Sequence, residues 1–314
     1  MNEDDNSRNT HGDTKRGETS QSTRRDGDMS ELRRKLRKLH PTTSRRQSAR
    51  VRRHIPERPR QPEPEPAWQP PQGEPVSLED AVDGVEISAP VGGLAYLVKS
   101  PLAELDAQYH ELSPSFEAAL ACEESNLRRL LLGAGATDNL QPQDLIFLDL
   151  ETTGLTSTPL FLIGTMAWEG EGFVINQYLA RNYAEEAAVI ALLAAEAAGK
   201  LLLVSFNGKA FDLPYIQMRA AATGVRFEAD FAHCDLLHEA RRAWAGRLPD
   251  CKLQTLEADI CGRPRYNDIP GSEIPEAYHE FVRTGNAAQM IAILQHNVLD
   301  LITLAEIMLK LPPR

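Results

Sequence analysis

The segment Phe147-Leu148-Asp149-Leu150-Glu151-Thr152-Thr153-Gly154-Leu155 sets two carboxylates two residues apart in a run that is otherwise apolar. On a β-strand, positions i and i+2 project from one face, so Asp149 and Glu151 form a pair at the strand's carboxyl end. Two acids inside an apolar strand are costly to bury without a partner. With no arginine or lysine beside them, a divalent cation is the partner that suits them, because hard cations take oxygen ligands. A bare Asp-x-Glu would more simply face solvent at a strand edge, but here Thr-Thr-Gly-Leu follows at once.

The elements that must hold this pair can be read from periodicity and punctuation. Leu145 to Leu150, bounded by Pro142 and by Thr-Thr-Gly, has the length and apolarity of a buried strand. Leu160 to Trp168 and Gly172 to Leu179, joined by Glu169-Gly170-Glu171, follow as a hairpin. Ala184 to Ala198 is rich in alanine and leucine, opens on Glu185 and Glu186 and stops at Gly199, which predicts a helix. A fourth strand is expected at Leu201 to Phe206, a helix at Phe211 to Ala222 closed by Gly224, and a long final helix from about Ala287 to Leu311 after a Pro/Gly-rich loop at Arg263 to Pro275. Further upstream, Val85 to Ala89 and Leu94 to Val98 predict a hairpin and Pro114 to Leu132 a helix, with no visible chemistry. The order β-β-β-α-β-α makes an α/β fold: three antiparallel strands, then parallel additions, in a mixed sheet flanked by helices.

Composition divides the chain. Its 314 residues carry 34 Lys+Arg and 45 Asp+Glu, yet residues 1–76 hold 17 of those basic and only 12 of those acidic residues, so a basic tail precedes an acidic body. The tail contains 9 of the 21 prolines and a single aromatic, Trp68, too little apolar area to offset ordering entropy, and it reads as disordered. Glu31 to Arg60 alone has 12 basic and 2 acidic residues, a density that attracts nucleic acid or an anionic surface, although a solvated charge run is the simpler reading. Within it, Leu32, Leu36 and Leu39 follow Ser30 at helical spacing, and Pro62 to Pro75 reads as an extended linker. The expected division is 1–76 tail and linker, 77–140 a small extension packing on the core, and 141–314 the main domain. Apolar runs are too short for a membrane span and Met1 to Thr10 is polar, so neither a membrane nor a secretory route is expected. Cys122, Cys234, Cys251 and Cys261 lack a CxxC pair, which makes a reducing cytoplasm the default location.

Asp149-Leu-Glu-Thr-Thr-Gly-Leu155 resembles the first motif of the DnaQ-like, or DEDD, 3′-5′ exonuclease superfamily, whose core is the ribonuclease H-like fold. Two further stretches resemble its later motifs. Ser205-Phe206-Asn207-Gly208-Lys209-Ala210-Phe211-Asp212 follows a strand and ends on an aspartate opening a helix, and His296-Asn297-Val298-Leu299-Asp300 lies on the late helix. The pattern is nearest to the bacterial YprB-like exonuclease branch, over roughly Leu145 to Leu309, and Asp268-Ile269-Pro270-Gly271 with Ile274-Pro275 is also similar to it. Those prolines read first as a rigid turn, with cleft shaping as the alternative. One departure stands out: histidine members of the superfamily leave four residues between His and Asp, whereas three separate His296 and Asp300, the spacing of tyrosine members.

The resemblance implies a catalytic set of Asp149, Glu151, Asp212, His296 and Asp300, the four carboxylates holding two Mg²⁺ or Mn²⁺ ions for hydrolysis of a phosphodiester. His296 would act as general base or orient the attacking water. On a helix it shares a face with Asp300. Thr152, Thr153 and Leu155 match positions that contact the terminal nucleotide; Asn207 either holds substrate or fixes the turn, and Lys209 either touches a phosphate or is solvated. Asp212 read alone could be a helix cap, and Asp235 is better read as one. Arg241, Arg242 and Arg247 could line a nucleic-acid groove, but a solvated helix face is the default reading. The implied activity is a divalent-metal-dependent 3′-5′ exonuclease acting on a single-stranded DNA or RNA end, with the basic tail as a possible further contact. A non-catalytic nucleic-acid-binding module and a structure-specific endonuclease on the same fold are the alternatives.

Overall fold

A computed structural model of the protein describes residues 68–154 and 156–313; the tail with its Glu31 to Arg60 charge run, and Leu155, lie outside the described residues. Seven strands form one mixed sheet: β1 (Val85–Ser88), β2 (Leu94–Pro101), β3 (Leu145–Thr152), β4 (Leu160–Glu169), β5 (Gly172–Leu179), β6 (Leu202–Ser205) and β7 (Ala232–Asp235). Their spatial order is β1-β2-β5-β4-β3-β6-β7. The antiparallel meander β3-β4-β5 is as expected, and β6 adds to β3 in parallel. Two further connections go beyond the sequence reading. The β1-β2 hairpin continues the same sheet through β2-β5 pairing, and β7 extends it beyond β6 in parallel.

The central strand β3 is apolar on both faces because both are covered. Ile146, Leu148 and Leu150 enter one core, with α4 (Glu186–Ala197), α5 (Asp212–Thr223) and α8 (Ile274–Thr284). Leu145 and Phe147 enter the other, with α2 (Leu112–Ala121), α3 (Asn126–Gly133), α6 (Leu236–Trp244) and most of α9 (Met290–Lys310). Asp149 and Glu151 have the parity of Leu145 and Phe147, so they emerge on the α9 side, where the strand leaves the core. A four-residue helix α1 (Leu78–Ala81) and α7 (Leu253–Leu256) complete the described helices, α7 running directly into a π-turn at Glu257–Cys261.

Pro114 to Leu132 is not one helix. The chain turns extended at Cys122 and restarts at Ser125, whose side chain accepts from Arg128 N and so caps α3. The final helix α9 is long and apolar enough by composition to cross a membrane, but 67% of that window is buried in this fold, where it fills the second core.

Candidate active site

β3, β6 and β7 run parallel, so their carboxyl ends share one edge of the sheet, the edge where open α/β sheets place ligands. Asp149 and Glu151 end β3 there, and a register shift against β4 at Glu151/Thr152 marks the point where the strand leaves the ladder. Asp212 is the first residue of α5, reached from β6 through the turn 206–211. It is not a cap: Phe211 occupies that position and no side chain caps the helix. Asp300 comes from α9, which crosses β3.

Asp149 faces Gly164 across the β3-β4 pair. The missing side chain at Gly164 makes room for Asn297 of α9, whose amide a Cβ there would overlap. Asn297 Nδ2 donates to Asp149 Oδ2 at 2.8 Å and to its carbonyl at 3.3 Å. Gln177 of β5, buried like Asn297, donates through Nε2 to Asn297 Oδ1 at 2.8 Å and to the Leu294 carbonyl at 2.9 Å. The orientation of Asp149 is therefore set by two buried amides in series.

Asp235, at the end of β7, caps α6 by accepting from Leu237 N at 3.1 Å, as expected. It also accepts from Asn207 N at 2.8 Å and Lys209 N at 3.1 Å, which pins the turn before Asp212. Asn207 takes a left-handed conformation (φ 66°), its carbonyl accepts from Ala210 N and Phe211 N, and its side chain is exposed, so its demonstrable part is in the turn. Lys209 is exposed. The Thr152 hydroxyl donates to the Gly154 carbonyl and that of Thr153 to the Pro159 carbonyl, shaping the loop after β3. Tyr215 of α5 ties that loop down by donating to the Thr158 carbonyl at 2.7 Å.

His296 is buried and spans two carboxylates: Nδ1 lies 2.8 Å from Asp268 Oδ2, and Nε2 lies 3.6 Å from Asp300 Oδ2. The three-residue gap thus brings histidine and aspartate together on successive turns of one helix. Asp268, in the stretch that reads from sequence as a rigid turn or as a shaper of the cleft, is a site residue. Arg265, from the same loop, is a second. Its buried guanidinium pairs with Asp300 Oδ1, with Glu257 Oε2 and, at 3.1 Å, with Asp268 Oδ2. Glu257 also holds Arg263, which reaches Glu306 at 2.8 Å. The sequence signals for Asp268 are its place in a proline-flanked stretch and the similarity of that stretch to the YprB-like branch; Arg265 carries none.

Crowding shows in the proton affinities. Burial, then Asp300, Glu151 and Asp212, hold the Asp149 carboxyl well above the usual range. Burial is also the main cause that pushes Glu151 up to about 8 and Asp212 up to about 7. Burial works against protonation of His296, but Asp300 and then Asp268 outweigh it and push it up to about 10. Asp268 goes the other way: burial would raise it, yet the His296 hydrogen bond and Arg265 hold it below the ordinary value.

Among the described residues, no three of these side chains already converge at ion-enclosing spacing. The donor set nevertheless fits a hard divalent cation, since Asp149, Glu151 and Asp212 are each raised by neighbouring carboxylates, Asp300 among them, and of the four acids only Asp300 has an arginine. A thermal-shift prediction follows. Mn²⁺ at a hundred times its Kd should stabilise the protein by about 2.7 kcal/mol, on the order of 5–10 °C in Tm. Asp149→Asn should raise the Tm in chelator, because it removes a buried charge among like charges, and lose most of the Mn²⁺ shift. An unchanged Mn²⁺ shift in that variant would exclude Asp149 as a ligand.

A family model described as RNase_H superfamily matches residues 146–311. The uncharacterized protein YprB of Bacillus subtilis (strain 168) is 30% identical over 212 residues, covering 66% of this chain and 50% of that protein. The chain thus spans about half the length of that curated relative. The family B DNA polymerase of the hyperthermophilic archaeon Pyrobaculum calidifontis aligns with 52% of this chain and 24% of its own at 15% identity and a TM-score of 0.44. With the matched segment running from β3 to the end of α9 and enclosing every acid of the site, the chain belongs to the RNase H superfamily.

Proposed function

We propose that the protein is a divalent-metal-dependent 3′-5′ exonuclease that hydrolyses phosphodiester bonds at a single-stranded nucleic-acid end. One observation carries the reading: acids from three separate elements, Asp149 and Glu151 of β3, Asp212 of α5 and Asp300 of α9, are gathered at one sheet edge beside a buried histidine. Membership of a superfamily of generally hydrolytic nucleases supports it. Asp149, Glu151, Asp212 and Asp300 would hold the metal, taken as two Mg²⁺ or Mn²⁺ ions. Bound there, the ions supply a water of lowered pKa and charge neutralisation at the phosphate. Asp149 is kept in place by Asn297, and Asp212 by the pinned 207–211 turn. His296 Nε2, turned toward Asp300 while Nδ1 faces Asp268, orients the attacking water; with its proton affinity pushed up to about 10 by those carboxylates, it would take that water's proton only where bound cations offset Asp300.

The test is a time course on 5′-labelled single-stranded DNA and RNA with Mn²⁺, Mg²⁺ or chelator. A metal-dependent ladder shortening from the 3′ end supports the reading and gives the sugar preference. Cleavage of a circular strand would make the enzyme an endonuclease. Strand binding without cleavage under any metal would leave a binding module. Within the active reading, Asp268→Asn should keep a hydrogen-bond partner for His296 but lose the charge, lowering the single-turnover rate roughly 10- to 100-fold, below the full worth of a general base. A rate within twofold of the parent would remove Asp268 from the mechanism.

A further inference from the structure

One step along the sheet edge from the carboxylates lies a cleft that the reaction itself does not use. Two adjoining cavities, of about 350 and 270 Å³, share Glu239 and Arg242 of α6 as their common wall. The first is lined by Lys209, His233 and His238 and by the end of α3; the second continues past Arg247 to the carboxyl end of α9. Together they form a groove from the turn that carries Asp212 toward the far side of α6.

Its charge is unlike the rest of the body. Beyond residue 76, acidic residues outnumber basic ones by 33 to 17, yet here Lys209, His233, His238 and Arg242 line the first cavity and Arg242 and Arg247 the second. The two acids on the first wall are already engaged. Asp235 accepts from the backbone amides of Asn207, Lys209 and Leu237, and Glu239 receives Arg242 Nη1 at 2.8 Å. The Lys209 and Arg247 side chains are exposed and have no acidic partner among the described residues, and Arg242 keeps its second amino edge open. His233 Nε2 lies 2.8 Å from Ser205 Oγ, and burial pushes the ring down to about 4, so it offers a phosphate a hydrogen bond rather than a charge.

Position supplies the ligand class. β7 stands two strands from β3, roughly 10 Å at the usual strand spacing, and Lys209 lies on the turn between, three residues before Asp212. A polyanion with regularly spaced phosphates, one end at the carboxylates, meets these cationic side chains if it continues along this edge. We propose that the groove formed by Lys209, His233, His238, Arg242 and Arg247 binds the sugar-phosphate backbone of the strand whose end is hydrolysed at Asp149, Glu151, Asp212 and Asp300. This inference rests on the nuclease reading. The groove acts on grip rather than chemistry, so it sets KM for long strands and leaves short substrates unaffected.

The test uses the full chain and Arg242→Glu/Arg247→Glu, two exposed substitutions on and after α6 that should fold. Hydrolysis of a 12-nucleotide single strand is compared with that of a nitrophenyl ester of a nucleoside monophosphate, which reaches only the carboxylates. The expected result is a KM for the 12-mer raised at least tenfold with kcat unchanged, the ester rate unchanged, and a salt slope for strand binding shallower by about 1.4, two phosphate contacts at roughly 0.7 each. The basic tail is common to both proteins and cancels in the ratio. Equal KM and equal salt slope would overturn the groove while leaving the nuclease standing. If neither substrate is cleaved, the nuclease reading fails, and anisotropy of the labelled 12-mer in chelator decides the groove: weakened binding by the variant keeps it, equal or absent binding by both removes it.

Discussion

Asp149→Ala should abolish metal-dependent cleavage, with a fall on the order of 10³- to 10⁴-fold or more, the scale seen when one member of a concerted catalytic set is removed. The reason is its position. Asp149 feels all three other acids, Asp300, Glu151 and Asp212. Removing it takes a ligand from the centre of the cluster rather than from its rim. Folding should survive, because the substitution removes one acid from among like charges and the Asp149 main-chain carbonyl still receives Asn297 Nδ2. A gel assay beside a far-ultraviolet spectrum and a Tm in chelator checks both halves. More than a tenth of the parent activity in a well-folded Asp149→Ala protein would mean that the chemistry lies elsewhere.

Gly164→Ala should also damage the site, by a smaller factor and without touching a candidate ligand. The new methyl would overlap the Asn297 amide, which cannot retreat because Gln177 holds it at 2.8 Å and is itself tied to the Leu294 carbonyl. Overpacking of this kind costs about 1–3 kcal/mol, and the displaced amide can no longer orient Asp149. Loss of such an orienting partner typically weakens metal affinity about 10- to 100-fold. Combining Gly164→Ala with Asn297→Ala separates the two effects. The double variant should regain much of the stability, because the clash is gone, but not the Mn²⁺ affinity measured by calorimetry, because Asp149 still lacks its donor. Recovery of both would reduce Asn297 to a packing residue.

These two substitutions mark the difference between what local sequence carries and what it does not. Asp149 and Glu151 were legible because a strand's two-residue period is strictly local: two acids at i and i+2 in an apolar run must share a face wherever that strand goes. His296 and Asp300 were legible for the same reason on a helix, and the buried two-faced character of β3 follows from Ile146, Leu148 and Leu150 alternating with Leu145 and Phe147. Gly164 and Gln177 carry no such signal. A glycine in a strand and a glutamine in the next acquire meaning only because α9 lands on them, 117 residues after Gln177 for its contact with Leu294.

Local sequence carried the α/β element order, the β4-β5 hairpin and the pairing of Asp149 with Glu151 and of His296 with Asp300, since each rests on periodicity, turn chemistry or caps within a few residues; that Asp212 and Asp300 belong with Asp149 and Glu151 was implied only by the resemblance of their motifs to one nuclease superfamily. It missed the break at Cys122 to Ser125, where a serine cap restarts the helix, and β7, whose four residues Ala-His-Cys-Asp have no apolar run to announce a strand. Only the tertiary structure brought Asp268 to His296 and Arg265 to Asp300 and Glu257. Those contacts are made by a proline-bounded loop whose path is fixed by packing against α9 rather than by its own propensities. Buried charges are stable only where partners arrive from several elements at once, and that convergence is a property of the folded chain, not of any window of it.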